Sequence, residues 1–178
     1  MKKIIYALIC LLIISAEVFP AAVTKYYNNW KIRKITYDNT RTKTITMTIK
    51  NDDMEIYIAS RNNQLSISIN WYKDRIDENM PVVQYSFDNS AYKSAEPFMR
   101  SSADNFDILY TVSPAFGIVQ EKEIIDFFKK LINCRTLSLR PNNYGEKYTI
   151  DAAGLKEAVQ KTDFTGTLFD KYKNEILR

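Results

Sequence analysis

The chain has 178 residues, with 25 basic and 21 acidic side chains, no histidine, and a formal net charge of +4. A mild positive excess with both signs interspersed is not the footprint of a nucleic-acid binder, and without histidine the commonest general base and metal ligand is missing. With 46% hydrophobic residues, four glycines and five prolines, the composition predicts one folded domain without long linkers.

The N-terminus reads as an export signal. Lys2 and Lys3 precede an unbroken apolar run of 11 residues, Ile4 to Ile14, and Ser15, Ala16, Ala21 and Ala22 follow as small residues. That is the three-part layout of a secretory signal peptide. A spanning helix needs about 20 predominantly apolar residues, and Glu17 and Pro20 interrupt this stretch too early. The expectation is a signal peptide over 1–22, a single exported β-rich domain over 23–178, and a periplasmic or secreted location with no stable membrane span. Cleavage falls after Ala16 or after Ala22. Cys10 follows the bulky Ile9, a poor lipidation site, and leaves with the signal. Removing 22 of the 178 residues leaves 156, with 23 basic and 20 acidic side chains and a net charge of +3. Cys134 is then the single cysteine, so no intramolecular disulfide can form. It is expected as a buried small apolar side chain at the end of a helix.

The domain opens with apolar Trp30 and Ile32, then Ile35 and Tyr37. The change of phase at Arg33-Lys34 predicts a strand with a bulge. Ile45, Met47 and Ile49 alternate with threonines, a period of two in β-favouring residues. Asn51-Asp52-Asp53 turns the chain into a second strand with Met54, Ile56 and Ile58 inward. Asn62-Asn63 turns it again into a third, with Leu65, Ile67, Ile69 and Trp71 inward. Together these predict a three-stranded antiparallel meander with one core face and one polar face. A polar stretch from Lys73 to Asn79 ends at Pro81. Val83, Tyr85 and Phe87 alternate until Asp88-Asn89-Ser90 breaks the run. A short strand around Phe98, a polar turn from Ser101 to Asn105, and a strand with Phe106, Ile108, Tyr110 and Val112 follow, before Pro114 and Gly117 punctuate a connection.

Ile124, Ile125, Phe128, Leu131 and Ile132 form a helical stripe, which predicts a helix over about 119–133. Leu137 and Leu139 predict a short strand, Asn142 to Gly145 a turn, and Tyr148 and Ile150 its partner. Asp151 is read as the N-cap of a short helix carrying Leu155, Ala158 and Val159. Asp163 is read as the cap of a terminal helix with Phe164, Leu168, Tyr172 and Ile176. Strands before a helix, then a hairpin, then more helix predict an α+β fold, an antiparallel β-rich, sandwich-like domain with C-terminal helices.

Chemistry is sparse along this pattern. The densest acidic turn, Asn51-Asp52-Asp53 with Glu55, reads as a solvated hairpin tip. No glycine-rich phosphate loop follows a strand. Ser113 and Ser138 lack a base. Asp74, Asp77, Glu78 and Glu96 form no carboxylate pair that position alone can predict. The basic group Lys31, Arg33, Lys34, Arg41 and Lys43 could meet an anionic polymer such as a cell-wall glycan or a lipid head group, or could simply protect an edge strand. The aromatic residues, 12 tyrosines and 9 phenylalanines among them, sit mostly at core-phase positions. No catalytic, cofactor-binding or metal-binding residues, and no cofactor, are therefore expected.

From about Thr44 to Thr162 the order of features resembles the periplasmic accessory proteins associated with type VI secretion, the VasI or TagO-like family. The residues that carry it are Tyr85-Ser86-Phe87-Asp88, Ser101-Ser102, Phe127 to Leu131, Leu137-Ser138-Leu139-Arg140, and Asp151 leading into Gly154-Leu155-Lys156-Glu157-Ala158. Ser86 stands where that pattern has a basic residue. The resemblance implies a periplasmic β-rich domain acting by protein contact in envelope or secretion-system assembly. The expected function is thus a non-catalytic envelope accessory or adaptor protein partnered by an envelope or secretion-system protein. The alternative is a module binding cell-wall glycan or a small ligand, and a carboxylate-based hydrolase ranks third.

Overall fold

A computed structural model describes residues 20–37, 42–73, 83–94, 99–102, 105–111, 121–141 and 145–178. The fold is α+β. Its larger sheet grows from local alternation. Strands β3 (Thr42–Lys50), β4 (Met54–Ser60) and β5 (Gln64–Trp71) form the antiparallel meander that the period of two requires. Their apolar rows meet in register, with Met47, Ile58 and Ile67 in one rank and Ile49, Ile56 and Ile69 in the next. All six are buried. Asn51 closes the first turn with its side chain, Oδ1 accepting from the backbone N–H groups of Asp53 and Met54 at 3.0 and 2.9 Å.

Two strands precede the meander, β1 (Ala21–Tyr27) and β2 (Trp30–Tyr37), joined through Asn28 at φ +49°. The pairing of β2 with β3 runs unbroken from Lys31↔Thr48 to Tyr37↔Thr42, so the expected bulge at Arg33-Lys34 is not there. Strict alternation instead puts Ile35 and Tyr37 on the outer face with Lys31 and Arg33, and leaves Lys34 on the helix side. β1 had no counterpart in the sequence reading. It is exposed on both faces, so no alternation marks it. On the other side β5 pairs with β9 (Asn105–Thr111), which pairs with β8 (Met99–Ser102). The chain thus reverses between Ser102 and Asn105, within the polar turn expected there, while Ser101 and Ser102 end one strand and Asn105 starts the next. The order is β1-β2-β3-β4-β5-β9-β8.

The smaller sheet has the order β11-β10-β6-β7, from β11 (Tyr148–Asp151), β10 (Thr136–Arg140), β6 (Gln84–Phe87) and β7 (Lys93–Ser94). Helix α1 (Glu121–Asn133) packs Phe127 edge-on against Tyr85 and Phe87, at ring-centroid distances of 5.2 and 5.3 Å. Its neighbour Phe128 meets Phe169 at 5.3 Å on α3 (Leu168–Leu177). Adjacent helix positions point about 100° apart, so α1 joins the small sheet to the C-terminal helices. Between β11 and α3 lies α2 (Leu155–Lys161). One continuous apolar core runs from Trp30 through both sheets to Ile176.

Both expected helix caps are displaced. Asp151 accepts the N–H of Ala153 and Asp163 that of Thr165, each at 3.0 Å. These are turns two residues long, and the helices begin only after Gly154 and Gly166, at φ +94° and +83°. The start of α3 is held by the meander instead. The N–H of Leu168 donates to the Arg61 carbonyl at 2.6 Å, and that of Phe169 to the buried Ser60 Oγ at 3.0 Å. Partners of this kind satisfy donors that a helix start leaves unpaired. The signal segment up to residue 19, the polar stretch 74–80 with Pro81, the site of Phe98, and the connection with Val112, Pro114 and Gly117 lie outside the described residues, as do 119–120 and 142–144.

Asp88 ties the end of β6 to the start of β10, its neighbour in the smaller sheet. At φ +49°, its carboxylate accepts the N–H groups of Arg135 and Thr136, both at 2.8 Å. Those bonds, Thr136 foremost, hold its pKa below the usual carboxylate value. A lowered folded pKa means stability that is present above the unfolded value and lost as pH falls through the folded one. Asp88→Asn is expected to lower the melting temperature at about pH 7, with the gap to wild type closing below about pH 4. Thermal melts by circular dichroism across that range check it, and a gap constant with pH would refute the role of the charge.

Candidate functional site

The outer face of β1 to β4 is a concave surface where polar, aromatic and charged side chains converge. A hollow of ≈ 540 Å³ opens there. Its floor is Thr46 and Thr48 of β3. Lys31 and Arg33 project from β2, Lys50 from the end of β3, and Glu55 and Tyr57 from β4. Tyr26 of β1 and Asn29 of the hairpin turn form the rim. Register explains the grouping. Tyr26 pairs with Lys31, Lys31 with Thr48, and Thr48 with Tyr57, so one rank across four strands places two tyrosines and a lysine over a threonine. The next rank is Thr24, Arg33, Thr46 and Ala59. Three cations face one carboxylate, and among the described residues none of the three makes an ion pair. Glu55 accepts from Asn70 Nδ2 at 3.4 Å, and its charge, after burial, raises the neighbouring Tyr72 phenol above its ordinary pKa.

The basic group read from sequence is divided by this geometry. Lys31 and Arg33 line the hollow. Lys34 points the other way and pairs with Asp163 at 2.7 Å, holding that carboxyl well below the usual range. Lys43 donates to the Thr165 carbonyl at 3.0 Å. Both are tethers to the loop before α3. Arg41 lies outside the described residues. The reading of these residues as edge protection needs correction, because β1 covers β2 and takes the edge itself. Lys50 and Tyr57 were missed, although counting in steps of two along the meander strands places them on its polar face; Tyr26 belongs to β1, which carries no such period.

A second hollow, ≈ 280 Å³, sits on the opposite side of β1. It is lined by Val23 and Lys25 of β1, Ile32 and Lys34 of β2, Lys161 at the end of α2, and Thr162 and Asp163 just after it. Between the two hollows runs β1, with Val23 55% and Tyr26 68% exposed. No described strand pairs with its outer edge.

The remaining candidates have structural partners. Asp53 takes an ion pair from Lys73 at 2.6 Å, and Asn51 Nδ2 donates to the Thr149 carbonyl at 3.1 Å, tying the hairpin tip to the small sheet. Ser138 is buried against Thr149 Oγ1 at 3.0 Å. Asp74, Asp77, Glu78, Glu96 and Ser113 fall outside the described residues. Among the described residues no cluster of three potential ligands is placed to hold a metal ion, and no helix is long and apolar enough to cross a membrane. Cys134 follows the last residue of α1, buried, with its Sγ donating to the Leu131 carbonyl at 3.2 Å. Burial above all, with the charges of Asp88 and Asp151, pushes its thiol up to about 12. In a chain carrying Cys10→Ser, Ellman's reagent is expected to label the thiol only after unfolding. Cys134→Ser should cost roughly 1 kcal/mol, since the hydroxyl can make the same bond. Rapid labelling of the native protein would refute this.

Comparison of the chain with protein-family models, with curated proteins and with solved structures finds no match.

Proposed function

We propose that this protein is a non-catalytic accessory or adaptor of a bacterial envelope, exported through its N-terminal signal and acting through protein contacts. The observation that carries the reading is the doubly exposed β1 edge between two hollows, which no described strand pairs. An exposed strand edge is a template for another chain, and seven residues without proline and with a single lysine do little to blunt it. The carboxyls with displaced pKa values, Asp88 and Asp163, are held as anions by backbone N–H groups and by Lys34. A general acid would need the opposite displacement. The resemblance to type VI secretion-associated accessory proteins suggests the setting.

Export is tested by sequencing the N-terminus of the mature protein. Ala21 and Ala22 pair with Thr36 and Ile35, so a cut after Ala16 keeps β1 whole and a cut after Ala22 shortens it. An N-terminus retaining Lys2 and Lys3 would overturn the export reading. Contact is tested by a photocrosslinking residue placed at Tyr26 and, as control, at the exposed Glu146, in cells. One or two envelope proteins captured from position 26 alone support the adaptor; equal capture from both positions refutes it.

The second reading, a module for cell-wall glycan, is favoured by Tyr26 and Tyr57 in the larger hollow, since aromatic rings stack on sugar faces. Retention of the protein on purified cell wall, lost in Tyr57→Ala but not in a β1-edge variant, would select it.

A further inference from the structure

We propose that the β1 edge receives an extended partner segment as an added strand, one whose alternate residues are acidic and small apolar. This rests on the adaptor reading and names the chemistry of its partner. A strand laid along β1 sends successive side chains to opposite faces. Those on the outer face lie beside Tyr26 and Thr24, with the long side chains of Lys31 and Arg33 one strand further in, on β2. Those on the inner face lie over the smaller hollow, whose apolar part is Val23 with the buried Ile32 behind it. The two hollows lie on opposite faces beside this one strand, so the alternate side chains of a single extended segment along its edge border both.

Charge decides between occupants. A second copy pairing edge to edge would join two copies of the same cationic strands, with Lys31 and Arg33 on one face and Lys25 on the other, and the like charges repel. An anionic segment meets Lys31 and Arg33 on that face, which lack ion pairs among the described residues. Backbone bonds to the edge would supply affinity for any extended chain, and the alternation of carboxylate and small apolar groups would supply selection.

The test uses the purified protein and fluorescein-labelled peptides read by anisotropy. A Glu-Val-Glu-Val-Glu-Val-Glu-Val peptide should bind at least about tenfold more tightly than a Glu-Glu-Glu-Glu-Val-Val-Val-Val peptide of the same composition. The double variant Lys31→Glu/Arg33→Glu, its fold verified by circular dichroism, should lose that affinity and come to prefer a Lys-Val repeat. Two N-methylated versions, blocking the N–H groups on one edge of the peptide or on the other, separate strand addition from simple ion exchange: one should bind and the other fail. Equal binding of the alternating and block peptides, or of the two N-methylated ones, overturns the proposal. So does a dimer that the peptide leaves intact, or displacement by polygalacturonate as effective as by unlabelled peptide. If position 26 captures an envelope protein while every peptide fails, protein contact stands and strand addition falls. If the peptides bind as expected and position 26 captures nothing, the edge is competent and the adaptor reading fails.

Discussion

Replacing Trp30 with Ala is expected to destabilise the protein by about 3–5 kcal/mol, as for other fully buried aromatic residues. Trp30 opens β2, is wholly buried, and donates its indole N–H to the Ala152 carbonyl at 3.0 Å, across 122 residues of sequence. It is thus both a core side chain and a clasp between the first hairpin and the loop before α2. Trp30→Phe keeps most of the volume and removes the clasp, and should cost about 1–3 kcal/mol, the range for a buried acceptor losing its donor. The N–H of Leu155 also reaches the Ala152 carbonyl, at 3.4 Å, which favours the lower end. Trp71, the other tryptophan, remains as a fluorescence probe of urea unfolding. A fall in midpoint at unchanged slope is the expected signature, and a midpoint unmoved by Trp30→Ala would refute the assignment.

The second large effect is expected at Gly154. Its φ of +94° is strained for any L side chain, and a Cβ there would sit 2.8 Å from Asn28 Nδ2 and 2.9 Å from the Tyr27 carbonyl oxygen. The amide can swing aside; the carbonyl is backbone at the end of β1 and cannot move without moving the strand. Gly154→Ala should therefore combine about 1–3 kcal/mol of backbone strain with about 1–3 kcal/mol of overpacking. Gly166 is the internal control. It too has positive φ, +83°, but a Cβ there would meet only the Lys43 side chain, its Cδ nearest at an ordinary 3.5 Å. Gly166→Ala should show the strain alone. Asn28→Gly in the Gly154→Ala background should recover only part of the loss, since the Tyr27 carbonyl contact persists. Equal midpoints for the two glycine variants would remove the close approach as the cause.

Both residues hold the β1–β2 hairpin to the C-terminal half, and that docking places the β1 edge and its two hollows. Variants at Gly154 that still fold should therefore weaken peptide binding with no change of charge.

How much of this could be read beforehand follows from the range of each interaction. The meander was legible because its signal is local. Ile45 to Trp71 repeats apolar and polar residues every two positions, and each turn carries its own asparagine. The stripe of α1 was legible for the same reason, although Phe127 was not counted in it. That residue faces Tyr85 and Phe87, about 40 residues away, and nothing near Phe127 records them. Asp151 and Asp163 were right about chemistry and wrong about place. A short acidic side chain bonds the N–H two residues on, whether a helix or only a turn follows, and the glycines at positive φ decide which.

The site divides along the same line. Lys31 and Arg33 were legible as a basic pair, but their sequence neighbours Lys34 and Lys43 turn to the helix side and bond there. Their true companions, Tyr26, Lys50 and Tyr57, come from other strands. β1 itself was illegible, because a strand exposed on both faces leaves no hydrophobic period. Composition and periodicity thus determined the α+β class, the meander and the α1 stripe, since burial of one face imprints a repeat on neighbouring residues. Which strands lie side by side, which edge stays open, and which charges share a hollow were decided only by tertiary pairing, because those contacts join residues whose local sequence carries no mark of each other.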